Sequence, residues 1–102
     1  MMNKLQEEQL IRETREAERN RQALMDDADF KTVIDTPAGR RFIRRALGKC
    51  GVHRTSFNAD PMIMAFSEGE RSIGLWLQSL FVDCPDQYIQ LLKEESHVRN
   101  NH

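Results

Sequence analysis

Four arginines, Arg40, Arg41, Arg44 and Arg45, are the residues of this chain best spaced to do chemistry. Arg40/Arg44 and Arg41/Arg45 each stand four apart, so on a helix the guanidinium groups project from one sector. A guanidinium donates in a planar fork that matches the oxygens of a carboxylate or phosphate. Three uses follow: pairing with glutamates of the chain's own first or last helix, contact with an acidic protein partner, or contact with nucleic-acid phosphates. Nucleic acid is the least favoured of these. There is no helix-turn-helix, no aromatic platform on which bases could stack, and no overall basicity. The net charge is −1, but it is unevenly spread: Thr36 to Ala59 holds Arg40, Arg41, Arg44, Arg45, Lys49 and Arg54 and no acidic residue. A basic middle in a neutral chain points to a local anionic partner or to pairing between segments.

The remaining reactive side chains make no catalytic set. Glu68 and Glu70 are two apart, which separates them by about 200° on a helix and rules out a carboxylate dyad. Glu68 and Arg71, three apart, share a face and are expected to pair. His53, His97 and His102 each lack a second ligand at i+3 or i+4, so no metal site is expected. Cys50 and His53 lie near one another in sequence, but no glycine-rich oxyanion loop accompanies them. Cys50 and Cys84 are read as buried thiols of a reducing compartment, not as a disulfide framework. No phosphate-cradling glycine motif is present. The expectation is a protein that is not an enzyme and carries no cofactor.

The elements that must position the arginines read as helices throughout. Asn3 to Asp26 is rich in Glu, Gln, Arg, Ala and Leu and free of Gly and Pro, and its apolar residues are sparse. Leu10, Ala17 and Leu24 recur every seven residues, a narrow stripe on a charged rod. That stripe is a candidate assembly surface for a neighbouring subunit, or else the rod is simply solvated. Asp26-Asp27-Ala28-Asp29 is expected to break the rod, with a short helix through Phe30, Val33 and Ile34 behind it. Thr36 then caps a helix that opens on Pro37 and ends near Cys50, with Gly51 in the left-handed stop position. Its apolar face would be Gly39, Phe42, Ile43, Ala46, Leu47 and Cys50. Val52 to Ala59 reads as a loop anchored by Phe57.

Asp60-Pro61 repeats the cap and the proline start. The helix that follows, to about Phe81, is expected to be central, burying Met62, Ala65, Phe66, Gly69, Ile73, Trp76, Leu77 and Leu80 as its core face. Gly69 and Gly74 would each admit a close neighbour. A last helix from Pro85 to about Val98 would turn Tyr88, Ile89, Leu91 and Leu92 inward. The division expected is a charged helical arm over 1–28, a compact helical domain over 29–98, and a frayed tail over 99–102. No run alternates with period two, so the fold class is all-α, a small bundle of four or five helices. With 39% hydrophobic and 30% charged residues, the core should be thin and much surface solvated or covered by a partner. The first residues lack the apolar run of a signal peptide, and no stretch approaches ~18 apolar residues, so a soluble protein without a membrane anchor is expected.

Several of these pieces together resemble a small protein family of tailed bacteriophages, typified by a protein of a Bordetella podophage. The matching residues are Phe30 and Val33 before Thr36-Pro37-Ala38-Gly39-Arg40-Arg41, then Phe57 ahead of Asp60-Pro61. The strongest stretch is Ala65-Phe66-Ser67-Glu68-Gly69-Glu70-Arg71-Ser72-Ile73-Gly74-Leu75-Trp76-Leu77. The resemblance spans roughly Asp29 to Lys93 and leaves out the N-terminal rod. Members of that family sit among phage head and portal genes. The resemblance therefore implies a virion structural or assembly protein, found in the virion and, during assembly, in the host cytoplasm. Its partners would be portal, capsid or ejection proteins and further copies of itself. It implies no activity and no catalytic residue. The alternative is a phage-encoded nucleic-acid-binding or host-modulating module that uses the arginine face.

Overall fold

Three prolines open three helices. In the computed structural model, which describes the backbone of residues 1–100 and side chains through residue 97, the order is α1 (Lys4–Ile34), α2 (Pro37–Cys50), α3 (Pro61–Ser79) and α4 (Pro85–Asn100). A 3-10 turn over Leu80–Asp83 separates the last two, and no strand occurs among the described residues. The all-α expectation holds. Arg99 and Asn100 stand within α4, and the rest of the tail expected to fray, residues 101 and 102, lies outside the described residues.

The chain divides into two units, Met1–Phe30 and one that begins at Lys31. The first is laced by local side-chain bonds. Asn3 and Gln6 form a reciprocal cap: the Asn3 amide donates to Gln6 Oε1 at 2.9 Å and the Gln6 amide to Asn3 Oδ1 at 2.8 Å. Further along, Gln9 pairs with Glu13, Arg21 with Glu18, and Gln22 with Asp26, all at one-turn spacing. The break expected at Asp26-Asp27-Ala28-Asp29 is absent, and α1 runs through it to Ile34. Aspartate costs a helix interior only some tenths of a kcal/mol, Asp26 gains the Gln22 bond, and no Gly or Pro intervenes. The chain turns instead at Thr36-Pro37.

In the second unit the caps fall where the residue types place them. Thr36 Oγ1 accepts from the Gly39 amide at 2.9 Å, and Asp60 Oδ1 accepts from the Met62 amide at 2.9 Å. Gly51 stops α2 at φ 70°, its amide reaching the Gly48 carbonyl. Gly39 has a separate reason to be glycine. A Cβ there would overlap the backbone carbonyl of Val33, so only glycine lets the start of α2 pass that close to the end of α1.

The core is small: Ile34, Ile43, Leu47, Val52, Phe81, Cys84 and Leu91. α3 packs on α2 through Gly74, where an added Cβ would stand 2.5 Å from Cys50 Cβ and Val52 Cγ1. Phe81 and Tyr88 meet with ring centres 5.1 Å apart and planes tilted by 54°, and Gln78 Nε2 donates to the Tyr88 hydroxyl at 2.7 Å. Both thiols are free, Cys84 buried and Cys50 half-buried.

Most of the expected core of α3 is not core. Phe66, Gly69, Ile73 and Trp76 are exposed, as are Met62, Ala65 and, in α2, Phe42; Leu77 and Leu80 are half-buried, while Ile43 and Leu47 of α2 are buried. Phe57 is no anchor, being 78% exposed. In α4 Leu91 is buried, whereas Ile89 and Leu92 are largely outside. The reason is the side on which α3 is held. Ser67, Arg71, Gly74 and Gln78 recur at three- and four-residue steps and, with Leu77, are the positions of α3 withdrawn from solvent. Gly74 allows that small, polar face to close on α2, and the apolar stripe is thereby turned outward.

Candidate functional site: an arginine face closed by one glutamate

The basic face of α2 divides in two. Arg40 and Arg44 are half-buried, while Arg41 and Arg45 are exposed. The difference comes from α4, which brings Glu94 against the first pair. Arg40 Nη2 donates to Glu94 Oε1 at 2.9 Å and Arg40 Nε donates to the same carboxylate at 3.1 and 3.2 Å. Arg40 Nη1 donates to the Ile34 carbonyl at 2.9 Å, tying down the open end of α1. One side chain thus joins the end of α1 to α4 from a position on α2. Gln90, one turn before Glu94, adds a bond from Nε2 at 3.2 Å.

Arg44 is less well served. Its Nη1 lies 4.0 Å from Glu94 Oε2, close enough for attraction but too far for a hydrogen bond, and that nitrogen is buried without a hydrogen-bond partner. Two guanidinium groups share one carboxylate. The hydrogen bonds from Arg40 hold the Glu94 carboxyl below the ordinary glutamate range; burial opposes this, and Gln90 and the charges of Arg40 and Arg44 add to it. Beside the cluster is an open cleft of about 430 Å³ lined by Pro37, Arg41, Arg44, Lys93, Glu94 and His97.

The second cluster is as the spacing foretold. Arg71 Nη1 donates to Glu68 Oε1 at 3.2 Å, and the Ser56 hydroxyl donates to Glu68 Oε2. The Ser56 bond is the main cause of a lowered Glu68 pKa, opposed by desolvation and helped by Arg71. This joins the 52–60 loop to α3 and makes no acid–base pair. Among the described residues no three His, Cys, Asp or Glu gather as a metal ion needs, and no helix is long and apolar enough to cross a membrane.

Of the residues expected to meet partners, Arg41, Arg45, Leu10, Ala17 and Leu24 are exposed, and Arg40 and Arg44 are engaged within the chain. Sequence reasoning allowed for a glutamate of the last helix without singling out Glu94. Its signal was the Gln90/Glu94 pair with Lys93 and His97 at one-turn spacing. The Asn3/Gln6 cap was missed, although Asn-x-x-Gln at the head of a charged helix is a known start signal.

A family model described as Bbp19-like phage protein matches residues 30–93, a span that contains α2 and α3 whole and stops one residue before Glu94. No curated protein and no solved structure matches the chain.

Proposed function

Because this chain belongs to the Bbp19-like phage protein family, we propose that it is a bacteriophage virion structural or assembly protein: a head, portal or internal ejected component that works through protein–protein contacts. The observation that carries this reading is the state of the first unit. Every residue from Met1 to Asp26 is exposed, and yet Lys4 onward is helical, capped and laced by side-chain pairs. A stretch of helix that buries nothing of itself gains from tertiary packing only when another molecule supplies it. Its outward Leu10, Ile11 and Leu24 are the apolar contacts such a partner would use. α1 is long enough for the task, 31 residues, which at ~1.5 Å each is roughly 46 Å.

On α2 the partner surface narrows to Arg41 and Arg45, with Lys93 beside the cleft. Arg40 and Arg44 belong to the fold, which weakens the alternative in which four arginines grip nucleic acid. The virion is the destination this reading assigns, with the host cytoplasm as the place of assembly.

Mass spectrometry of purified virions is the decisive measurement. The protein should be present at a fixed copy number per particle, and a phage encoding the chain without residues 1–26 should fail to incorporate it. Incorporation of the truncated chain at the normal level would show that the arm is dispensable. Steep, salt-dependent DNA binding by the purified protein, with absence from virions, would replace this reading with the nucleic-acid one.

A further inference from the structure

The outward face of α3 is ordered in a way that a merely exposed face is not. Met62, Phe66, Gly69, Ile73 and Trp76 follow one another at steps of four, three, four and three residues, and the half-buried Leu80, four further on at the start of the 3-10 turn, extends them. That is the spacing of a seam between two paired helices. Met62, Phe66, Ile73 and Trp76 are 82, 71, 62 and 61% exposed. Gly69, at the middle of the seam, has nothing within 4 Å of where a Cβ would stand. Nothing in its own chain explains this glycine, unlike Gly39 and Gly74. No charged residue lies on the seam, and its outer flank is Ala65, Ser72 and Ser79, small enough for another helix to come close.

We propose that α3 pairs with α3 of a second copy of this chain, antiparallel, across this seam. Pairing in that direction sets Phe66 against the second copy's Trp76, Met62 against its Leu80, and Gly69 against its Ile73, and each contact occurs twice. Every member of the stripe is used, the bulky Ile73 enters the gap left at Gly69, and the two aromatic residues meet. Parallel pairing in register would instead set Gly69 on Gly69 and Trp76 on Trp76, leaving a void at one layer and crowding another.

The area fits as well. With aromatic side chains at ~150–250 Å² each, the four most exposed residues offer on the order of 500–600 Å² per copy. A pair would bury about 1,000–1,200 Å² from them alone, where stable interfaces begin. The seam spans fewer heptads than an isolated coiled coil needs, but here each α3 is already held in its own folded unit.

The inference deepens the assembly reading by naming one partner, and it stands or falls separately, because it concerns the purified chain in solution. The test is sedimentation of the full chain over roughly 1–200 μM. A dimer should form, and Ile73→Glu, at an exposed position, should weaken it at least roughly tenfold while the circular dichroism and melting of the chain persist. Under oxidising conditions a mixture of Gly69→Cys and Ile73→Cys chains should crosslink to each other faster than either alone, with the unaltered chain as control for Cys50 and Cys84. A chain that stays monomeric throughout, a dimer indifferent to Ile73→Glu, or the lack of a preferred mixed crosslink would each overturn the proposal. None of those results would bear on whether the protein is found in virions.

Discussion

Gly39 and Glu94 are the two single residues on which the second unit most depends, for opposite reasons. Gly39 matters for what it lacks, since any Cβ would enter the Val33 carbonyl. Gly39→Ala should cost about 1–3 kcal/mol, seen as a lower urea midpoint with little change in slope, although alanine is the better helix former. Glu94 matters for what it neutralises. Glu94→Gln removes the carboxylate charge that the half-buried Arg40 and Arg44 share and should cost roughly 1–3 kcal/mol at neutral pH. The pH dependence has a definite sign. The folded carboxyl titrates below its unfolded value of about 4.3, so its contribution is complete above that value and is lost as pH falls through the lowered one. Chemical denaturation at neutral pH and again well below pH 4 should therefore find the wild type and Glu94→Gln converging in acid. A difference that stays constant with pH would mean that packing, not charge, is what the glutamate supplies.

At the scale of the element, helix starts and stops were legible in the sequence, and the buried sides were not. Thr36, Asp60, the three prolines and Gly51 act within a turn of their own position, so residue type and order suffice to place them. The Asp26–Asp29 run was misread because aspartate signals a cap only where the chain is otherwise free to turn. The core face of α3 was misread for a deeper reason. A seven-residue rhythm of Met, Phe, Ile and Trp reports that a helix has an apolar side, but not whether the molecule covering that side belongs to the same chain. Gly74 bears on the matter, because α2 comes close enough there to leave no room for a Cβ. The start of α1 supplies a prediction of its own. Asn3→Ala removes one half of the reciprocal cap, worth about 1 kcal/mol locally. Since residues 1–26 bury nothing, the effect should appear as a smaller helical amplitude in far-ultraviolet circular dichroism, with the cooperative melt of the second unit unmoved. A shift in that melt would show that the two units unfold together.

For the whole molecule, the family and the helical class follow from different kinds of information: motif order and period. The arginine face was half legible. Its spacing gave the shared sector on α2, but which pair would be taken by α4 depended on a tertiary contact 54 residues away in sequence. With seven buried apolar residues among those described and a broad apolar surface, this chain holds less of its stabilising contact inside one copy than is usual for its length. Once the α3 seam is paired, folding and accumulation become linked by mass action. The melting temperature should climb with protein concentration in the wild type and stay flat in Ile73→Glu, which scanning calorimetry at several concentrations can measure. The proposed pairing would make that linkage a timer: the first copies made would be the most fragile, and each later copy would lengthen the life of those already present.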